Sequence, residues 1–125
     1  MICDTTFLSD LQEEQSGSGS GRATRWLTAH RRQRLLVTVI SADELAVIFN
    51  TAIEARAFLR RYRLLRLTPE IAYTAAAIDR ELIEAGRRLG ENDNWIAGFC
   101  RYYGQPVVSR DGAFDRVRGL RRIAY

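Results

Sequence analysis

The sequence predicts an α/β fold, an α/β/α sandwich with a central, mostly parallel sheet of four to five strands. Three observations lead there. Short apolar runs alternate with helical periodicities along the whole chain, the pattern of repeated βα units. A chain of 125 residues suffices for one sizeable core and not for two, so residues 1–125 form a single domain. Acidic residues also recur where apolar runs give way to turns or helices, and an open parallel sheet places its ligands just outside the carboxyl ends of its strands.

Ile2-Cys3 is a short first strand, and Phe7, Leu8 and Leu11 mark one face of the helix after it. Ser16 to Gly21 alternates Ser and Gly and reads as a flexible surface loop. Ala23 to Arg34 reads as a helix with Trp26 and Leu27 inward, running into a strand from Leu35 to Ile40. From Ser41 the residues Leu45, Ile48, Phe49, Ala52 and Ile53 keep the i, i+3, i+4 spacing of one buried helix face, with a continuation or restart near Thr51 through Phe58, Leu59 and Tyr62. Leu64 to Leu67 is a short strand. Thr68 and Pro69 then open a helix as N-cap and first helical residue, and Ile71, Ala72, Ala75, Ile78, Leu82 and Ile83 stripe it. Gly86 to Gly90 ends that helix, Asn92-Asp93 begins another that stops at Gly104, Pro106 to Val108 is a buried strand, and Leu120 to Ala124 a last one.

Composition excludes several classes. No apolar run approaches the ~20 residues of a transmembrane helix, and the first residues lack the basic region of a secretory signal. Cys3 and Cys100, both in apolar sequence, read as buried free thiols of a reducing compartment, so the expected location is cytoplasmic. All 19 basic side chains are arginine. The absence of Lys removes a Walker-type phosphate loop and weighs against a phosphoacceptor receiver domain, while Arg supplies the planar fork that binds phosphate in a bidentate way. A net charge of +4 on a chain with grouped acids suits a polyanion met through a cation.

The acids at the strand and helix boundaries are Asp4, Glu44, Asp93 and Asp111. Brought together, they would need protons or a cation to neutralise them. Each also has a plainer role. Ser41-Ala42-Asp43-Glu44 is a good capping box, Asn92 and Asp93 are natural N-caps, and Asp111-Gly112 is a common turn pair. Asp4 is hardest to explain this way, because an acid directly after an apolar strand is costly to bury without a partner.

Asp4-Thr5-Thr6 after the first strand and Glu44 near a helix start resemble the opening of PIN domains. Gly90-Glu91-Asn92-Asp93-Asn94-Trp95-Ile96-Ala97 is close to that family's third acidic motif. Pro106-Val107-Val108-Ser109-Arg110-Asp111-Gly112-Ala113-Phe114-Asp115-Arg116-Val117, followed by Gly119-Leu120, resembles its fourth. Over essentially its whole length the chain is similar to the VapC-type toxins of bacterial type II toxin–antitoxin systems. Three departures stand out: Thr6 where the family more often has Asn or Ser, a shortened span from Glu44 to Leu67, and the extra acid Asp43.

The resemblance implies a PIN-like sandwich and a Mg²⁺- or Mn²⁺-dependent endoribonuclease. Its central metal ligands would be Asp4 and Asp93, with Asp111 bound directly or through water and Glu44 more peripheral. Thr5, Thr6 and Ser109 would orient ligands or phosphate, and Arg110 and Asp115 would support the site or touch substrate. The partners implied are an RNA substrate, a cognate antitoxin and, as a family expectation, a second copy in a homodimer; no membrane is implied. His30, the only histidine, sits at a helix end and is a poor general base. Tyr102, Tyr103 and the tryptophans fit helix packing and core better than base stacking. Two other readings compete with the nuclease: a catalytically silent PIN-like module binding protein or RNA, and a plain interaction domain whose acids are caps.

Overall fold

Ile2 and Cys3 occupy the middle of the sheet rather than its edge. The computed structural model describes residues 1–17 and 19–125. Its elements are β1 (Ile2–Cys3), α1 (Thr5–Ser16), α2 (Arg22–Ala29), β2 (Leu36–Thr38), α3 (Val39–Ile48), α4 (Ala52–Leu59), β3 (Arg63–Leu65), α5 (Pro69–Glu84), α6 (Glu91–Tyr103), β4 (Val107–Val108), a 3₁₀ turn (Gly112–Arg116) and β5 (Arg122–Ile123). The five strands run in the order β3-β2-β1-β4-β5, and every pairing is parallel. Ile2 lies opposite Leu36 on one side and Val107 on the other, and Cys3 opposite Val37 and Val108. The chain builds outward from β1 through β2 and β3, then crosses back to β4, so the order reverses beside β1. That reversal opens the crevice between β1 and β4.

Side chains alternate across a strand, and here the alternation divides two cores. Ile2 and Val107 face one layer, with Ile71, Ile78 and Leu82 of α5, Ile96 and Phe99 of α6, and Phe114. Cys3, Val37 and Val108 face the other, with Phe7, Leu8 and Leu11 of α1, Trp26 of α2, Leu45 of α3 and Phe58 of α4. Each fully buried Leu, Ile or Phe contributes roughly 1.5–3 kcal/mol. Helices therefore cover both faces, as the sequence predicts. Where α5 and α6 cross, Gly98 is a packing requirement: a Cβ there would lie 2.7 Å from the Ala75 Cβ. Gly104, at φ 61°, supplies the left-handed turn that ends α6.

Several boundaries differ from the sequence expectation. The helix expected from Ala23 to Arg34 stops at Ala29, where the His30 ring stacks on Trp26 and its Nδ1 lies 2.8 Å from the Trp26 carbonyl oxygen. Leu27 is only half-buried. The strand from Leu35 ends at Thr38, because Thr38 caps a helix that begins at Val39 instead of Ser41. The face expected at Leu45 through Ile53 is broken between α3 and α4, leaving Ile48 and Ile53 exposed, and Ile83 likewise points outward. Tyr102 and Tyr103 are exposed rather than packed in the core.

The expected Ser16–Gly21 loop is shorter, since α1 includes Ser16; Ser18 lies outside the described residues. Cys3 and Cys100 are free and buried, and burial pushes the Cys100 thiol up to about 12. Among the described residues no helix is long and apolar enough to cross a membrane.

Candidate active site

Asp4 follows β1 directly and is 3% exposed. Its backbone is extended, which makes it the N-cap of α1: Oδ1 accepts the Phe7 N–H at 2.8 Å. This capping role is one the sequence reading did not assign to Asp4. Oδ2 accepts the hydroxyl of Ser109, the buried residue directly after β4. Ser109 Oγ in turn accepts the Asp111 N–H at 3.0 Å. Adjacent parallel strands thus deliver Asp4 and Ser109 to one point, and Ser109 joins the fourth motif to the first. Burial pushes the Asp4 carboxyl up to about 6, against the pull of the Ser109 and Phe7 hydrogen bonds; the charges of Asp93 and Asp111 add to the rise.

Asp93 stands on the first turn of α6, but it is not the cap. Gly90 is the N-cap residue and makes no side-chain bond, so the N-cap role weighed for Asn92 and Asp93 is not the one they fill. Burial raises the Asp93 carboxyl above the usual range, followed by the charges of Asp111 and Glu44.

Glu44 does not close a capping box either. Thr38 caps α3, and Ser41 lies inside the helix, fully buried, with its N–H donating to Thr38 Oγ1 at 3.1 Å. Glu44 is thereby free to face α1 and α6. Its Oε2 accepts the Thr5 hydroxyl, and its Oε1 accepts Asn92 Nδ2 at 2.9 Å. Glu44, Asp93, Asn92, Glu91 and Gly90 line a shallow cleft of about 330 Å³. Asn92 is the residue whose part the sequence did not reveal. An Asn at a helix start reads as a cap, and only the three-dimensional approach of α3 to α6 shows that it holds Glu44.

Asp111 does fill the turn role expected of it, accepting the Ala113 N–H at 2.8 Å as the N-cap of the 3₁₀ turn, while its charge acts on both Asp4 and Asp93. The remaining residues of the predicted set are distributed around this core. Thr6 makes no side-chain hydrogen bond among the described residues. Arg110 is drawn toward α1, 3.3 Å from Asp10, whose other oxygen accepts the Tyr125 hydroxyl at 2.7 Å. Asp115 points away from the acids, into a bidentate pair with Arg122 at 2.9 and 2.8 Å. Arg122 also donates to the Ser109 carbonyl at 3.2 Å, so Asp115 reaches the site only through Arg122.

Four carboxylates from β1, α3, α6 and the loop after β4 therefore surround the crevice where the strand order reverses. Asp4 feels the charges of Asp93 and Asp111, and Asp93 those of Asp111 and Glu44. As they stand, Asp4, Glu44 and Asp111 accept hydrogen bonds from protein donors. Among the described residues no three His, Cys, Asp or Glu side chains are grouped closely enough to hold a metal ion between them. The donor chemistry nonetheless suits a hard cation, being all carboxylate oxygen.

A PIN domain family model matches residues 1–120. No curated protein matches the sequence. Among solved structures, the chain is similar to DNA-bound VapBC from Salmonella typhimurium, with a TM-score of 0.82 at 21% identity, covering 98% of this chain and 96% of that one. It is also similar to VapBC2 from Rickettsia felis bound to a promoter DNA fragment, with a TM-score of 0.81 at 15% identity, covering 99% and 97%. VapBC-5 from Mycobacterium tuberculosis, of the VapBC family of toxin–antitoxin systems, aligns over 74% of this chain and 82% of that one, with a TM-score of 0.62 at 25% identity.

Proposed function

This chain belongs to the PIN domain family, and from that premise we propose that it is a metal-dependent endoribonuclease, the toxin of a type II toxin–antitoxin pair. The observation that carries the proposal is Asp4: a buried carboxylate at the reversal of the sheet, raised to about 6, inside the field of two further acids from separate elements. A fold gains nothing in stability from such an arrangement, and perturbed carboxylates in a cleft mark sites of chemistry.

Asp4 and Asp93 would hold Mg²⁺ or Mn²⁺, with Asp111 direct or through water and Glu44 at the periphery. Mg²⁺ keeps several waters and needs only one or two protein carboxylates, so a looser grouping than a closed cage is compatible with it. When bound, the cation supplies an activated water and neutralises charge on the phosphate. The chain's own groups do the rest. Ser109 fixes the Asp4 carboxylate, and Thr5 and Asn92 fix Glu44 where it can orient a water or accept its proton. Arg110, at the rim, is placed to meet a substrate phosphate if it leaves Asp10. The solved relatives are toxin–antitoxin assemblies, which supports a cognate antitoxin as partner. An antitoxin arginine entering the acids would neutralise them as a cation does. A homodimer and a cytoplasmic location belong to the same proposal.

One observation favours a second reading, the catalytically silent PIN-like binding module. Both Asp4 oxygens are already hydrogen-bonded, and among the described residues no three acids are grouped for a metal. Incubation of the purified protein with RNA and Mg²⁺ or Mn²⁺, with and without chelator, separates the two. The nuclease reading expects cation-dependent cleavage that Asp93→Asn abolishes, a larger loss than the roughly 10–100-fold cost of removing an outer partner. Equal behaviour of wild type and Asp93→Asn would leave the silent module. Expression in a host is expected to arrest growth, with relief by the antitoxin.

A further inference from the structure

The amino ends of the strands present the opposite chemistry. All five strands are parallel, so all their amino ends emerge on one side, away from the acids. Arg34 just precedes β2, Arg63 begins β3, and Arg121 immediately precedes β5. Together with Tyr103 and Gln105 they line a cavity of about 440 Å³. A neighbouring cavity of about 310 Å³ shares Gln105, Pro106 and Arg121 and adds Arg118, together with Arg101, whose charge is already paired with Glu81, so the two form one continuous groove. Among the described residues no Asp or Glu lines either cavity, and Arg34, Arg63 and Arg121 have no carboxylate partner. Like charges gathered without counter-charge attract an anion. Guanidinium forks match phosphate oxygens in a bidentate way. Tyr103, 40% exposed on the wall and perpendicular to the Tyr102 ring at 5.0 Å, is the aromatic side chain that an unstacked base would meet there.

We propose that this groove binds the phosphodiester backbone of single-stranded RNA, at a site separate from the acids. The choice of RNA rests on the nuclease reading above; the anionic ligand rests on the groove alone. Tyr103 can stack only on a base free of its helical neighbours, which favours a single strand over a duplex. The acids repel RNA and the groove attracts it, so substrate is held at one end of the sheet before it meets the other.

The test uses the full-length Asp93→Asn protein in chelator, so that the probe survives, with a fluorescent unstructured oligoribonucleotide followed by anisotropy across a salt series. The triple variant R34A/R63A/R121A is expected to weaken binding by about tenfold or more at low salt and to flatten the slope of log affinity against log salt by roughly two. Y103A is expected to weaken binding several-fold without altering the slope. A control removing three exposed arginines elsewhere, R56A/R80A/R87A, carries the same charge change. Equal weakening in the control, no weakening in the groove variant, tighter binding of duplex DNA than of the probe, or equally effective displacement by a polyglutamate peptide would each overturn the proposal. Unchanged melting temperatures show that the variants fold. RNA binding that follows this pattern in a protein without cleavage would sink the nuclease reading and leave the groove standing; cleavage without it would do the reverse.

Discussion

Ser109 and Asp4 are 105 positions apart in the chain and share a hydrogen bond at the carboxyl ends of two adjacent parallel strands. Ser109 donates to the carboxylate and accepts the Asp111 N–H. It therefore sets the direction of Asp4 and the start of the loop that carries Asp111.

That relationship predicts a pH dependence of stability. The Asp4 carboxyl is raised from 3.8 to about 6, so between those values the folded state binds more protons than the unfolded chain. Stability must therefore fall as pH rises through about 4 to 6, and above this the ionised, buried Asp4 costs roughly 3 kcal/mol. Asp4→Asn removes the effect. Its melting temperature relative to wild type is expected to climb across that window in chelator, with the gap narrowing when Mg²⁺ is added at neutral pH. Ser109→Ala removes a bond that favours the ionised form, so it moves the window to higher pH. A difference between wild type and Asp4→Asn that does not vary with pH would contradict this.

Asn92 and Thr5 predict a change in metal response rather than in fold. Asn92→Ala frees one Glu44 oxygen at the protein surface and removes no buried group. Activity at saturating Mg²⁺ is expected to drop, and the Mg²⁺ concentration for half-maximal cleavage to rise, within the roughly 10–100-fold range of outer ligand partners. Thr5→Val should act in the same direction. Titrating the cation at fixed RNA measures both, and an unchanged midpoint would remove Glu44 from the metal's surroundings.

Gly98 tests the packing that holds α6, and with it Asp93, against α5. Gly98→Ala puts a methyl 2.7 Å from the Ala75 Cβ. Overpacking of this kind costs about 1–3 kcal/mol, read by denaturant unfolding. Ala75→Gly in the same molecule opens the matching space, and the double variant should recover more of the loss than the two single effects would sum to.

The sandwich was legible because its elements are locally consistent: the Thr68-Pro69 start, the α5 stripe and the Gly104 stop each point to the same structure. Asp4 and Asp111 stand directly at element boundaries and Asp93 on the first turn of α6, whereas Glu44 lies in the middle of α3. Misreading arose where local signals competed. Ser41 to Glu44 carries a capping signature, yet Thr38, three residues earlier, takes the cap and turns Glu44 toward α1 and α6. Ile48, Ile53 and Ile83 keep helical spacing but stand outside the contacts that bury their neighbours. Asn92, Asp115 and the arginine groove depend on which elements meet in space, and no local pattern encodes that.

The position of β1 in the middle of the sheet has a consequence for biosynthesis. Ser109 leaves the ribosome 105 positions after Asp4, with Asp111 just behind it, and β1 finds its β4 neighbour only then. A growing chain carries acids yet cannot present them as a set until the segment with Ser109 and Asp111 has emerged. If the protein cuts RNA, this strand order keeps the nascent chain harmless to the message and the ribosome that are making it.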